Sequence, residues 1–191
     1  DQKKILSYIW PVHQKMKLVR KRIDFLKSIS KSLFQNICGK SQTEVPFSQI
    51  GTLAKTVCQQ YAVRQEDGMD YIKIVDINNG FVSNSVSDHI SKQPLIKADD
   101  FLLQRFDGVV ASVGSGDSVG KMAMITSNNL PCFANSNLLA FRKSDQVGFA
   151  FFYETLSMVV ENARVLASGS GIKRLKKNDI LESCVPMPRA D

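Results

Sequence analysis

The residues most suggestive of chemistry form one run: Val113-Gly114-Ser115-Gly116-Asp117-Ser118-Val119-Gly120-Lys121. Glycines and serines ahead of a Gly-Lys pair are the ingredients of a loop that cradles phosphates on backbone amides. A nucleotide-binding P-loop puts its first Gly four residues ahead of the Gly-Lys pair and a Ser or Thr directly after the Lys. Here those places hold Ser115 and Met122. The P-loop also opens a helix whose N-terminus faces the phosphates, whereas Met122-Ala123-Met124-Ile125-Thr126 has the texture of a strand. The expectation is a tight Gly/Ser loop between two strands, presenting amides and hydroxyls outward.

Other reactive constellations are missing. The two histidines, His13 and His89, have no second ligand at helical or loop spacing, and Cys38, Cys58, Cys132 and Cys184 show no paired spacing. That excludes the usual zinc and redox signatures and suits reduced cysteines serving as small apolar residues in the cytoplasm. No nucleophile–base pair stands out. The chain holds no Pro-Pro pair, so it lacks the Asn/Asp-Pro-Pro-aromatic motif of an amino-methyltransferase. No metal, no cofactor and no catalytic centre are expected. Polar clusters remain at Asn135-Ser136-Asn137 and Ala167-Ser168-Gly169-Ser170-Gly171, the second flanked by Arg164 and Lys173-Arg174-Leu175-Lys176-Lys177. Turn chemistry alone accounts for such clusters, but the added donors also suit phosphates and guanine edges.

The elements that must hold these residues differ sharply along the chain. Apolar residues recur at Ile5, Ile9, Val12, Met16, Val19, Ile23, Leu26, Leu33 and Ile37 in steps of four and three, broken only at Ser30. This heptad seam predicts a long coiled-coil helix over residues 1–40. Pro11 marks either a kink or the neighbourhood of the true start, and Gly39 a stop. The same forty residues hold ten Lys or Arg against two Asp, which leaves the other 151 at about −1 of the chain's net +7. A basic balance suits nucleic acid, and a well-solvated helix face accounts for it equally. Because a lone helix must bury its seam to be stable, the periodicity also calls for a partner helix.

Beyond a polar linker at 42–47, short apolar runs alternate with turn residues. Strands are predicted at Ile50–Val57, Tyr71–Ile77, Gly80–Val86, Gly108–Val113, Met122–Thr126 and Asn137–Phe141. Turns are predicted at Asp67-Gly68, Asn78-Asn79-Gly80 and Asp107-Gly108. One helix is expected over Phe149–Leu166 and a short one from Lys177 or Asn178. The fold class is α+β, a coiled-coil helix followed by a strand-rich globular domain at 41–191. No apolar run approaches the roughly 18 residues that a membrane span needs, and no signal peptide is visible at the first residues.

Taken in order, these segments resemble a type I restriction–modification specificity (S) subunit. Asp1-Gln2-Lys3-Lys4-Ile5 and the heptad helix are similar to the family's Glu-Gln-x-x-Ile spacer helix. Ile50-Gly51-Thr52-Leu53-Ala54 resembles the opening strand of a target-recognition domain. Tyr71-Ile72, Asp76-Ile77 and Gly80 resemble its Tyr-Ile, Asp-Ile and Gly stretch. Asp107-Gly108-Val109-Val110, Val119-Gly120-Lys121, Asn135 to Leu138 and Gly169 to Leu175 follow at the family's places, and Pro186-Met187-Pro188 is similar to its closing Pro-x-Pro. Reading the end of the chain into its start nearly reproduces the family's junction between repeats. The chain thus resembles one repeat unit, where complete S subunits hold two recognition domains and two antiparallel spacer helices.

The resemblance implies a DNA target-recognition domain that reads one half of a bipartite site in double-stranded DNA. It also implies a spacer helix that sets half-site separation and docks methyltransferase (M) subunits, which a restriction (R) subunit joins. The second helix would come from another copy or from the rest of a longer polypeptide, and the chain itself would be non-catalytic. By residue type and placement between elements, the DNA-facing candidates are Arg64, Gln65, Lys73, Ser112, Ser115, Asn135, Asn137, Arg164, Ser168, Lys173 and Arg174. The helix-pairing candidates are Ile9, Val12, Met16, Val19, Ile23, Leu26 and Leu33. A different class of reading is a coiled-coil oligomeriser whose globular half binds protein, and salt dependence separates the two. Val19→Asp would bury an unpaired carboxylate in the seam and is expected to abolish helix-mediated association. Unchanged sedimentation of that variant would contradict the seam.

Overall fold

The computed structural model describes residues 2–39, 43–78, 80–93, 95–167 and 171–188, with side chains from residue 8 onward. The chain divides into two compact units, Asp1–Thr43 with Pro186–Asp191, and Glu44–Val185. The first is dominated by α1 (Gln2–Cys38), which runs through Pro11 without ending. Its first turns therefore tolerate the missing donor, and Pro11 does not mark the start. Gly39 follows as a turn whose N–H donates to the Gln35 carbonyl at 2.7 Å. A Cβ on Gly39 would lie 2.5 Å from that same oxygen, so the stop requires glycine. The seam is uncovered: Val12, Met16, Val19 and Leu26 are all at least half exposed.

The second unit begins with β1 (Glu44–Pro46), β2 (Gly51–Ala54), β3 (Arg64–Ile72), β4 (Ile77–Asn78), β5 (Phe81–Val82) and β6 (His89–Ile90). It continues with β7 (Gly108–Ala111), β8 (Val113–Gly114), β9 (Met122–Met124), β10 (Cys132–Ala134) and β11 (Leu138–Lys143). The helix α2 (Phe149–Leu166), β12 (Lys173–Arg174), the short α3 (Lys177–Leu181) and β13 (Cys184–Pro186) complete it. A six-stranded sheet runs in the order β2-β11-β7-β9-β5-β4, all antiparallel except β5 with β9. A three-stranded sheet runs β10-β3-β6, with β10 parallel to β3.

Packing explains the central strand. All four residues of β7 are buried, because a strand covered on both faces reads as a continuous apolar run. Val109 and Ala111 join the core cluster that includes Ile72, Ile77, Ile125, Leu138 and Ala140. A Cβ on Gly108 would collide with the side chain of Leu156 on α2, so Gly108 is a close-packing residue inside the strand rather than part of a turn. The helix buries Phe152, Thr155, Leu156, Val159, Val160 and Ala163 along one face, the i, i+3, i+4, i+7 pattern of a half-buried helix. Phe152 stacks on Phe47, and Phe47 meets Phe141 edge-on.

Two sequence expectations are corrected here. The stretch 42–47 is not a linker throughout, since Glu44–Pro46 forms β1 and Phe47 is fully buried; Gln42 lies outside the described residues. Asp67-Gly68 is not a turn between strands but lies within β3, where the pairing with β6 shifts register between Arg64 and Met69. Bulges of this kind satisfy the same residue types as turns. A Cβ on Gly68 would sit 2.6 Å from the Ile90 carbonyl oxygen across the ladder, which explains the glycine.

The domain's most buried charge is Asp107. Its carboxylate accepts from Arg142 at 2.8 and 3.1 Å and from the Gln104 N–H at 2.8 Å, while Arg142 also donates to the Leu102 carbonyl at 3.1 Å. Removing one partner of a buried pair leaves an uncompensated charge, worth about 3 kcal/mol. Arg142→Ala should therefore lower the unfolding free energy by about that amount, moving the urea midpoint down by it divided by the slope, and an unchanged midpoint would show that the pair is not structural.

Candidate nucleic-acid interface

The Gly/Ser run is indeed held between strands, β8 before it and β9 after it, with a single turn of 3₁₀ helix at Gly116–Ser118. Ala111 and Lys121 close the hairpin, the Ala111 N–H donating to Lys121 and the Gly120 N–H to Ala111, both at 2.8 Å. At its outer edge β8 pairs antiparallel with β12, setting Lys173 opposite Gly114 and Arg174 opposite Val113. This ladder joins two segments far apart in sequence and places Ser115, Lys173 and Arg174, all exposed, on one platform.

Arg164, from the last turn of α2, completes it. Gly120 has a left-handed φ of 78° and lies directly beneath the Arg164 side chain, leaving no room for a Cβ. The guanidinium donates to Glu161 at 3.2 Å and stands 3.8 Å from Asp117. A cleft of about 320 Å³ lies between loop and helix, lined by Gly116, Asp117, Val119, Glu161, Arg164, Val165 and Lys173. A half-buried guanidinium held by Glu161 and an exposed Lys173 ammonium at the rim of a small cleft suit phosphate or base-edge recognition.

Behind the platform runs a chain of hydrogen bonds. The Tyr71 hydroxyl donates to the Val57 carbonyl at 2.9 Å and accepts from Asn135 Nδ2 at 2.6 Å. Asn135 Oδ1 accepts the Asn137 N–H at 2.8 Å, and the Asn137 carbonyl accepts both the N–H and the hydroxyl of Ser112, at 2.9 and 2.8 Å. The Ser112 carbonyl then accepts the Leu175 N–H, just past β12, at 2.8 Å. Ser112 and Asn135 are accordingly buried, 5% and 3% exposed, with their polar atoms spent inside the fold. They position the platform. Asn137 is exposed but contributes its backbone to the same chain.

The remaining candidates lie elsewhere. Arg64 and Gln65 are exposed at the start of β3, and Lys73 follows the strand's end. Asp88 binds the Lys73 ammonium at 2.6 Å and Arg64 at 3.4 Å, so the Lys73 cation is already committed. Ser168 lies outside the described residues. Asp88 and Glu161 are not among the sequence candidates and no spacing in the sequence points to them, whereas Asp117 and Lys121 lie in the Gly/Ser run that the sequence singles out. Burial pushes the Cys132 thiol up to about 12, so it is a packing residue rather than a nucleophile. A second cleft, of about 410 Å³, is lined by Phe81, Val82, Ser83, Asn84, Thr126, Asn128 and Asn129 and carries no charged side chain.

The chain has the fold of type I restriction–modification S subunits. It superposes on the HsdS subunit from Thermoanaerobacter tengcongensis with a TM-score of 0.54 and 13% identity, over 98% of this chain and 46% of that one. A chain from a structure describing complex assembly and conformational transition of the type I R-M system matches with a TM-score of 0.55 and 12% identity, over 97% of this chain and 46% of that one. The chain thus spans about half the length of the solved structures it matches. No family model and no curated protein matches its sequence.

The Lys73 hydrogen bond, and then the charges of Lys73 and Arg64, hold the Asp88 carboxyl below the ordinary carboxylate range. A carboxyl depressed in the folded state stabilises above its unfolded value, about 3.9, and loses that contribution as pH falls through the lower folded value. Lys73→Met should therefore be less stable than the parent at neutral pH, with the gap closing below the carboxylate range. A gap that does not change with pH would contradict this pairing.

Proposed function

We propose that residues 41–191 form a target-recognition domain that reads a few base pairs of double-stranded DNA, one half of a bipartite site, within a type I restriction–modification system. The observation that carries this reading is the S-subunit fold over nearly the whole chain. The platform of exposed Ser115, Lys173 and Arg174 beside the half-buried Arg164 supports it chemically. Arg and Lys supply donors to phosphate and guanine, and the loop's amides and hydroxyl add neutral donors. Arg64, Gln65 and Asn137 would be secondary contacts, while Lys73, Ser112 and Asn135 hold the frame.

In this reading α1 is the spacer. Paired along Ile9, Val12, Met16, Val19, Ile23, Leu26 and Leu33 with a second spacer helix, from another copy or from the rest of a longer subunit, it fixes the distance between half-sites. Rigid geometry sets half-site spacing in the same way in other dimeric DNA readers. Tyr8, Leu18, Phe25 and Ile29 are also exposed on α1 and widen its apolar face beyond the seam, which suits further helices from M subunits. Those subunits would supply catalysis and the methyl donor, the R subunit would join through them, and this chain would be a non-catalytic, cytoplasmic component. Among the described residues no helix is long and apolar enough to cross a membrane.

Selection of binding sites from a random duplex pool, using the chain with a candidate M subunit, tests the proposal. A short or bipartite motif is expected. Arg174→Ala and Ser115→Ala should blur it, a lost bidentate arginine contact costing about 1–3 kcal/mol of discrimination and a lost single serine hydrogen bond less. Absence of DNA binding at any salt would instead favour a protein–protein interaction module.

A further inference from the structure

The cationic face of α1 has no part in the seam or in the recognition platform. With the seam at heptad positions a and d, Lys17 and Lys31 fall at b, Arg20 and Lys27 at e, and Lys21 at f. All five are exposed; Lys17, Lys21 and Lys31 lie on the side away from the seam, and Arg20 and Lys27 flank it. Asp24 is the one acid among residues 8–39. Among the described residues, no ion pair engages Lys17, Arg20, Lys21 or Lys31.

A helix face that serves only solubility carries both signs, because Glu–Lys pairs four residues apart stabilise it and like charges at that spacing destabilise it. Here Lys17 with Lys21 and Lys27 with Lys31 are like-charge pairs at that spacing. Pairing the seam with a second such helix would bring two cationic faces into one assembly and concentrate the charge further. The excess calls for a polyanion. From Lys17 to Lys31 the helix rises about 21 Å at 1.5 Å per residue, about six base-pair steps of duplex at 3.4 Å each.

We propose that this outer face of α1 is a second, sequence-independent binding surface for duplex DNA, taking phosphates through Lys17, Arg20, Lys21 and Lys31. It goes beyond the target-recognition reading, since it needs no base contact. The helix then meets the backbone of DNA directly, in addition to spacing the half-sites.

The test is the salt dependence of binding to a random-sequence duplex, measured on the full chain and on Lys17→Gln/Lys21→Gln/Lys31→Gln. These positions lie off the seam, and unchanged circular dichroism and sedimentation would verify that folding and pairing survive. Three lost phosphate contacts should reduce the slope of log K against log salt by about 2.7, with any selected motif unchanged. An unchanged slope overturns the helix surface while leaving target recognition by the platform intact. Loss of the motif with an unchanged slope also overturns it, as does failure of the parent chain to bind random duplex at low salt. Failure of Arg174→Ala to blur the motif would count against the platform alone.

Discussion

The platform of the Gly/Ser loop and β12 depends on one chain of hydrogen bonds, from Tyr71 through Asn135, Asn137 and Ser112 to the backbone beyond β12. Its strength comes from burial. A buried polar group left unsatisfied costs more than a made bond gains, so each member is fixed by the penalty of losing its neighbour. Among the described residues no buried side-chain nitrogen or oxygen lacks a partner. The chain crosses from β3, in the three-stranded sheet, past β11 to the β8–β12 ladder, and it gives a two-residue strand such as β12 a defined place. Without it, Lys173 and Arg174 would project from a loose segment. With it they stand beside the Gly/Ser loop, and Arg164 closes the group from α2 over the bare Gly120 backbone.

The helical unit poses the opposite problem. Its apolar residues are exposed in the single chain, and a helix of this kind gains its stability from packing rather than from propensity. The uncovered seam is therefore an unmet requirement written into the sequence. Covering it with a like helix would leave the cations outward. The apolar and cationic faces thus make separate demands on one element, an apolar partner and an anionic one.

Periodicity made the helices legible. The 3.6-residue pattern places α2 at Phe149–Leu166 to the residue, and the heptads place α1. The sheets were less so, because their strands are short and their partners distant. The β8–β12 pair joins residues 113–114 to 173–174, and nothing local in Lys173-Arg174 announces a strand. The β3 bulge was read as a turn because Asp-Gly serves both. For the site, residue type located the cationic and glycine-rich segments, and the resemblance to S subunits supplied the purpose proposed for them. Type could not separate donors facing outward from donors spent inward. Ser112 and Asn135 have the same chemistry as a DNA-facing serine or asparagine, and burial alone distinguishes them. Lys73 differs from Lys173 in being half-buried and in having Asp88 beside it.

The central claim, that the face built from the Gly/Ser loop and β12 meets DNA, is most directly tested by amide hydrogen exchange of the full chain with and without a random-sequence duplex. The account predicts new protection across residues 113–121 and 173–177, with the ladder between them slowed as a unit. Protection confined to the uncharged cleft around Phe81–Asn84 and Thr126–Asn129, with the loop and β12 unchanged, would contradict it.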